Sequence, residues 1–420
     1  MSSVSQSLDL ATRALEKEMG QLTQSVFFFG DGLQRTAVDA LFDLFQPKTW
    51  QPANLGRLGW DAVQASVELS RFVVPGEAGA AWEEVRNKLE VFLLVSELPA
   101  VLGVNPKEWV PLPDLVNRAY TLSPFAALWA VEGVGHYYGD AWWDRNGQPQ
   151  GLLLPKSAPV PDKSLLMLHA GIGLAFADRL LGTITRHSPT YEQHSVVEQF
   201  VRLCRDNSRE GYLGPAVESL GLVTRDFYPD MVSIVSAQLE SVAPELSGYF
   251  WHGVGRALYF SRAYFLPVIR TAWGSVERAA PHRFGQMNAM AGLTWAATLV
   301  NMRQPKIMEG VLQSYIEQSS LADAFTDGVS SSIIMREDTT PGEDFVRNFY
   351  EHQPSDRNRK LQMTWNKRIT GPARTALRAY YPVLRQRGLL GEIFQNQSLA
   401  SLVGGSEVEA APGQAVLSVQ

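Results

Sequence analysis

A mainly α-helical body, internally duplicated about a pseudo-two-fold relation and with few or no strands, is the fold this sequence predicts. Three observations predict it. Apolar residues recur at three- and four-residue intervals along most of the chain, alternating β-branched runs are scarce, and two glycine-centred segments recur at nearly one offset.

The elements follow in order. Leu8, Ala11, Leu15, Met19 and Leu22 share one helical face behind Ser7, a suitable cap, so an amphipathic helix is predicted there. Trp82 to Leu98, Ser195 to Asp206, Met308 to Gln318 and Thr375 to Arg387 show the same recurrence and are predicted helices. Gln46 to Asn54, Gly147 to Lys163 and Glu337 to Glu343 carry irregular Pro and Gly clusters and are predicted loops. The last stretch, from Gly404, is small and polar and is expected to fray.

The duplication has two anchors. SPFAALWAVEGVGHYY from Ser123 aligns with PELSGYFWHGVGRALYF from Pro244, equating Gly133 and Gly135 with Gly253 and Gly255. LMLHAGIGLAFADRL aligns with NAMAGLTWAATLV, equating Gly171 with Gly292. A looser echo lies at Gly30 and Gly32. The resulting organisation is an N-terminal helical region over 1–110, a first repeat over 111–235, a second over 236–345, a basic helical segment over 346–403 and a flexible tail over 404–420. The repeats are expected to share one compact domain. Glycine inside a helix costs up to about 1 kcal/mol relative to alanine, so these positions need a close approach of two backbones, or of backbone and ligand.

Composition bounds the function. The 420 residues carry 37 Lys and Arg against 43 Asp and Glu, a net charge of −6, with 45% hydrophobic and 19% charged residues, enough to build a large core. One cysteine, Cys204, excludes a disulfide scaffold and a cysteine cage for zinc or iron–sulfur. The N-terminus lacks a secretory pattern, and His169, Asp178 and Arg179, or His252, Arg256 and Arg262, interrupt the most apolar stretches. No transmembrane segment is therefore predicted, and a soluble cytoplasmic protein is expected. No paired-histidine metal motif, dinucleotide fingerprint, Walker loop, nucleophile elbow or zincin motif occurs, so neither a metal nor a cofactor is expected.

Ionisable residues beside the glycines are the candidate catalytic groups: Glu132 and His136 around the first Gly-x-Gly, His169 before the second anchor, and His252 and Arg256 in the later copy. Each sits in an apolar, aromatic sequence, where a charge must be paired and where pKa values shift toward acid–base duty. Four-residue spacing makes a Glu132–His136 pair natural on a helix. These residues equally suit a hydrogen-bonded core that ties helices together. Of the acidic stretches REGYLGPAVESLG, RDFYPDM and REDTTPGED, only Glu210 and Tyr212 in the first have an aromatic setting, and the others are expected to be exposed loop acids. Trp129, Trp142, Trp143, Trp251 and Trp295 gather near the anchors. With Tyr138, Tyr259 and the glycines Gly133, Gly135, Gly171, Gly253 and Gly255, they would line a pocket for an extended apolar or conjugated ligand, or simply fill the core. From Arg347 to Arg387 basic residues dominate; Arg357, Arg359, Lys360, Lys367 and Arg368 form the densest patch, suited to an acidic partner or to solvent. An acidic overall balance and the lack of any recognised motif exclude nucleic acid as the expected partner.

GVGHYYGD with HAGIGLAFADRL, REGYLGPAVESLG, and FWHGVGRALYF followed by AGLTWAATLV resemble an uncharacterised bacterial family encoded beside enediyne-type and other polyketide synthase genes, often with the accessory proteins UnbU and UnbV. The resemblance runs from about Pro113 to Phe394. It implies a place in specialised metabolism and carries over no reaction and no catalytic residue. The expected function is then binding of an apolar unsaturated intermediate in an aromatic-lined cavity between the halves, with cofactor-independent acid–base isomerisation or cyclisation. An acyl carrier protein would be the acidic partner. The alternatives are a non-catalytic accessory, sequestration or scaffold protein, and a terpene-cyclase-like enzyme, for which the acid pairs of an Asp-rich diphosphate motif are missing. Self-association is left open.

Overall fold

A computed structural model describes residues 78–96, 98–105, 108–260, 269–316, 319–355 and 357–404. The expected helix at Ser7 to Leu22, the Gly30/Gly32 echo, the Gln46 to Asn54 loop and the tail beyond Gly404 lie outside these residues. Among the described residues every regular element is helical and none is a strand. Those residues belong to one compact unit that begins at Ala78.

The chain enters through α1 (Ala78–Ser96), α2 (Leu98–Val101) and α3 (Leu112–Ala119), then runs along α4 (Pro124–Asn146). α4 starts where it does because the Ser123 hydroxyl accepts the Ala126 N–H (3.3 Å) and Pro124 takes the first helical position, where no N–H is needed. It stops at Gly147, whose φ of 79° a side chain would resist. A 3-10 turn at Asp162–Ser164 leads into α5 (Leu165–Leu181), followed by α6 (Thr190–Asn207), α7 (Leu213–Phe227), α8 (Val232–Val242) and α9 (Ser247–Phe260). Then come α10 (Ile269–Ala279), α11 (Arg283–Asn301), α12 (Pro305–Ser314), α13 (Ala322–Thr339) and α14 (Asp344–Tyr350). Asp162–Leu181 is long and apolar enough to cross a membrane, but 89% of that stretch is buried inside the bundle, where it is a core helix.

The core is a continuous series of crossings, α4 on α5, α5 on α7, α7 on α9, α9 on α11 and α11 on α13. Glycines set most of these crossings. A methyl group at Gly171 would collide with the Glu132 carbonyl of α4, one at Gly173 with Ala216 of α7, one at Gly253 with the Glu218 carbonyl of α7, and one at Gly255 with the Ala289 carbonyl of α11. Gly292 of α11 meets His252, and Gly328 of α13 meets Ala291, in the same way. Backbone, not ligand, therefore fills the space left by the missing side chains. Positions equated by the sequence alignment make like contacts: Gly171 meets the carbonyl of Glu132, and Gly292 that of His252. α7 packs between α5 and α9, so the two glycine-rich pairs join through a shared helix and not across an open seam. α1 packs on α4 and α11, which makes 78–96 part of the same body as these crossing helices.

The C-terminal segment wraps α13. α15 (Arg359–Trp365) runs into a π-helical stretch at Asn366–Thr370, α16 (Gly371–Thr375), a second π-helical stretch at Ala376–Tyr380 and α17 (Tyr381–Gln386). Each widened stretch ends two residues before a proline, Pro372 or Pro382, whose ring cannot tolerate the carbonyl one normal turn behind it. A 3-10 turn (Leu390–Phe394) and α18 (Leu399–Gly404) follow. Two expectations need correction. Glu337, Asp338 and Thr339 belong to the last turn of α13 and are not loop residues, and Asp338 is buried. Helix formation continues because the segment packs on both π-helical stretches, α16 and the 3-10 turn.

Candidate functional site

Three of the candidate residues, Glu132, His252 and Arg256, come together in one cluster, and its fourth member is Glu218 on α7, not Glu210. Arg256 Nη2 donates to both oxygens of Glu132 (2.5 and 2.6 Å), Arg256 Nη1 donates to Glu218 Oε2 (3.1 Å), and His252 Nδ1 donates to Glu218 Oε1 (3.1 Å). The quartet joins α4, α7 and α9, and none of the four exceeds 3% exposure. Trp295 lies 5.0 Å from the Arg256 guanidinium, and Phe394 of the C-terminal 3-10 turn packs on both Trp295 and His252.

Two carboxylates face one arginine here, so the cluster is neutral only when it holds one further proton, on His252 or on a carboxyl. The carboxyls respond in opposite senses. Burial raises Glu132 despite Arg256, whereas Arg256 and His252 outweigh burial at Glu218 and lower it. Such a split separates an acid from a base. No solvent-exposed side chain belongs to the quartet, however, so its evident work is to tie three helices.

The other predicted residues are spread apart. His136 does not pair with Glu132; its Nε2 turns to Asp140 (3.5 Å), which Arg179 also holds (2.7 Å), because Glu132 is engaged by Arg256. His169 is locked as a neutral ring. Its Nδ1 donates to the Leu165 carbonyl (2.6 Å) and its Nε2 accepts from the Arg209 N–H (3.0 Å), and burial lowers its pKa to about 3. Glu210 is exposed in the turn before α7. Trp129, Trp251 and Trp295 are core residues packed on one another or on Phe250, Phe260, His282 and Phe394. Tyr259 is buried, donating to Glu84 (3.0 Å) and accepting from Asn301 (2.6 Å). Tyr138 and Trp142 stand apart with Trp109, rings 5.0 to 6.2 Å from one another, near the surface. In the basic patch Arg368 is paired with Asp323 (2.6 Å), and Arg357, Arg359, Lys360 and Lys367 are exposed.

A second polar site, which sequence reasoning missed, surrounds the buried Asp338 and extends to the exposed Asp162 and Arg385. Arg385 Nη1 donates to the Tyr381 hydroxyl (2.9 Å), which donates to Asp338 Oδ1 (3.1 Å), while the buried Oδ2 has no partner. Burial pushes the Asp338 carboxyl up to about 6 against the opposing pull of Tyr381 and Arg385. Its charge in turn helps burial raise the phenols of Tyr120, Tyr212 and Tyr381, the last two to about 12. All three tyrosines are half-buried, and Asp162 and Arg385 are exposed at the rim. Five segments bring these groups together. Tyr120 donates to the Lys163 carbonyl (3.1 Å), and Tyr212, stacked on His169 at 5.2 Å, follows Gly211, whose carbonyl accepts from the Gly391 N–H (3.0 Å) just beyond α17. This is a carboxyl that titrates at about 6, one oxygen held by Tyr381 and one free, with Tyr120 and Tyr212 near enough to feel its charge.

The raised carboxyl has a consequence for stability. Unfolded, Asp338 loses its proton near 3.8; folded, it keeps it until about 6. Between those values the folded state binds more protons, so stability falls as pH rises through the window, by about 3 kcal/mol for this group. Urea unfolding from pH 4 to 7 should show Asp338→Asn with a flatter profile than the wild type; parallel profiles would contradict the raised carboxyl.

Among the described residues no three His, Cys, Asp or Glu side chains converge so as to hold a metal ion. No family model, no curated protein and no solved structure matches the chain.

Proposed function

We propose that the protein binds an apolar, unsaturated small molecule and moves a proton on it, an isomerisation or cyclisation without a cofactor, with Asp338 as the transferring group. The observation that carries this reading is the Asp338 carboxyl itself: buried, titrating at about 6, with Oδ1 fixed by Tyr381 and Oδ2 unpartnered. In this scheme Asp338 as carboxylate removes a proton from one carbon and returns it to another, while the hydroxyl of Tyr212 polarises an adjacent oxygen. The compound class, a polyketide-type intermediate, rests on the sequence resemblance, and delivery by an acyl carrier protein rests on the exposed Arg357, Arg359, Lys360 and Lys367.

Isomerisation and cyclisation conserve mass, which sets the test. Wild type and Asp338→Asn, purified from the producing cells, are extracted under denaturing conditions and the released compounds separated by chromatography with mass detection. The expected result is two isomers of equal mass, product from the wild type and precursor from the variant. One identical compound from both would instead support a sequestering accessory protein, the reading favoured by the sealing of the Glu132, Glu218, His252 and Arg256 quartet.

A further inference from the structure

Arg336, on the last full turn of α13, is fully buried, yet among the described residues no carboxylate pairs with it. Its Nη1 donates to the carbonyls of Pro124 (3.1 Å) and Phe125 (3.4 Å), while Nε and Nη2 are buried with no partner. A buried guanidinium left this way is costly, and burial together with nearby Arg303 brings even its pKa down to about 9. Nε and Nη2 form one edge of the planar group, a fork whose spacing matches the two oxygens of an oxyanion.

From this free edge we infer an anion site that takes the carboxylate of an apolar or aromatic carboxylic acid. Charge selects a monoanion. Arg303, on the same aromatic ring, is already paired with Glu90 (2.6 Å), and Glu343 acts on Arg336 only from a distance, without an ion-pair contact, so one positive charge is left over. The surroundings select an apolar body: the Arg336 guanidinium lies 5.3 Å from the Phe125 ring and 5.4 Å from the Phe345 ring, and the Arg303 guanidinium covers Phe125 at 3.5 Å. A phosphate dianion would bring a second charge with no counterpart among these groups. The site is independent of the proton-transfer reading at Asp338.

The test is calorimetric titration of the full chain with octanoate, and with octanol and inorganic phosphate as probes of the apolar body and of the charge. Octanoate is expected to bind, with octanol and phosphate each at least about tenfold weaker, and Arg336→Lys, which keeps the charge but loses the fork, should weaken octanoate about tenfold. Arg336→Met should abolish the octanoate response while raising the melting temperature of the ligand-free protein, because an unpaired buried charge is removed. Octanoate that fails to bind, that binds no better than octanol or phosphate, or that binds Arg336→Lys undiminished would overturn the assignment. Asp338→Asn should leave octanoate affinity unchanged, and an equal loss there would place the ligand at the other site.

Discussion

Arg256→Met should destabilise the fold by about 3 to 5 kcal/mol at pH 7, the range for a buried ion pair that loses one partner. Among the described residues the arginine is the only cation in direct contact with Glu132, and it also holds Glu218, which His252 reaches from the other side. Without it, two carboxyls stand in a site no more than 3% exposed, with the His252 imidazole on Glu218 and solvent beyond reach. At least one carboxyl must then hold a proton in the folded state well above its unfolded pKa. The folded variant therefore binds more protons than the unfolded chain, and its stability falls further as pH rises. Urea unfolding across pH 5 to 8 reads both effects. Adding Glu132→Gln should recover part of the loss, since a neutral amide leaves less charge uncompensated. A variant as stable as the wild type at pH 7 would show that the quartet does not tie α4, α7 and α9.

The second large effect is expected at the glycine crossings. Gly255→Ala drives a methyl group into the Ala289 carbonyl of α11, a backbone atom that cannot rotate away, so the helices must separate. A cost of about 3 kcal/mol, at the upper end of overpacking in cores, is expected. Gly310→Ala in α12 is the control, because nothing lies within 4 Å of the added methyl. It should stabilise by about 0.5 to 1 kcal/mol through helix propensity alone. Thermal melts of the two variants should move in opposite directions; equal shifts would show that glycine here serves only local conformation.

Much of this arrangement was legible in the chain. Helical periodicity located several of the elements, among them α1, α6 and α12, and unexplained glycines in apolar helices marked the crossings at Gly171, Gly253, Gly255 and Gly292. Glu132, His252 and Arg256 were legible because charges in apolar helices must find one another. Glu218 was missed in favour of Glu210, although a signal existed: Gly214, Glu218 and Gly221 fall on one face of α7, whereas Glu210 precedes the helix. His169 was misread because both of its partners are backbone atoms, which no sequence displays. Asp338 was missed for a different reason. Thr339, Thr340, Pro341 and Gly342 read as a loop, and only the packing of the C-terminal segment onto α13 buries the carboxyl and supplies Tyr381. Likewise no sequence pattern separates Trp129, Trp251 and Trp295, which pack the core, from Trp142, which reaches the surface.

The central claim, that Asp338 is a proton carrier poised near neutrality, is tested most directly by a carbon-detected NMR titration of the aspartate carboxyls, with Asp338 assigned through Asp338→Asn. The account predicts a midpoint near 6. A midpoint at the ordinary value of about 3.8 would leave an unprotonated, unperturbed carboxylate and would contradict it.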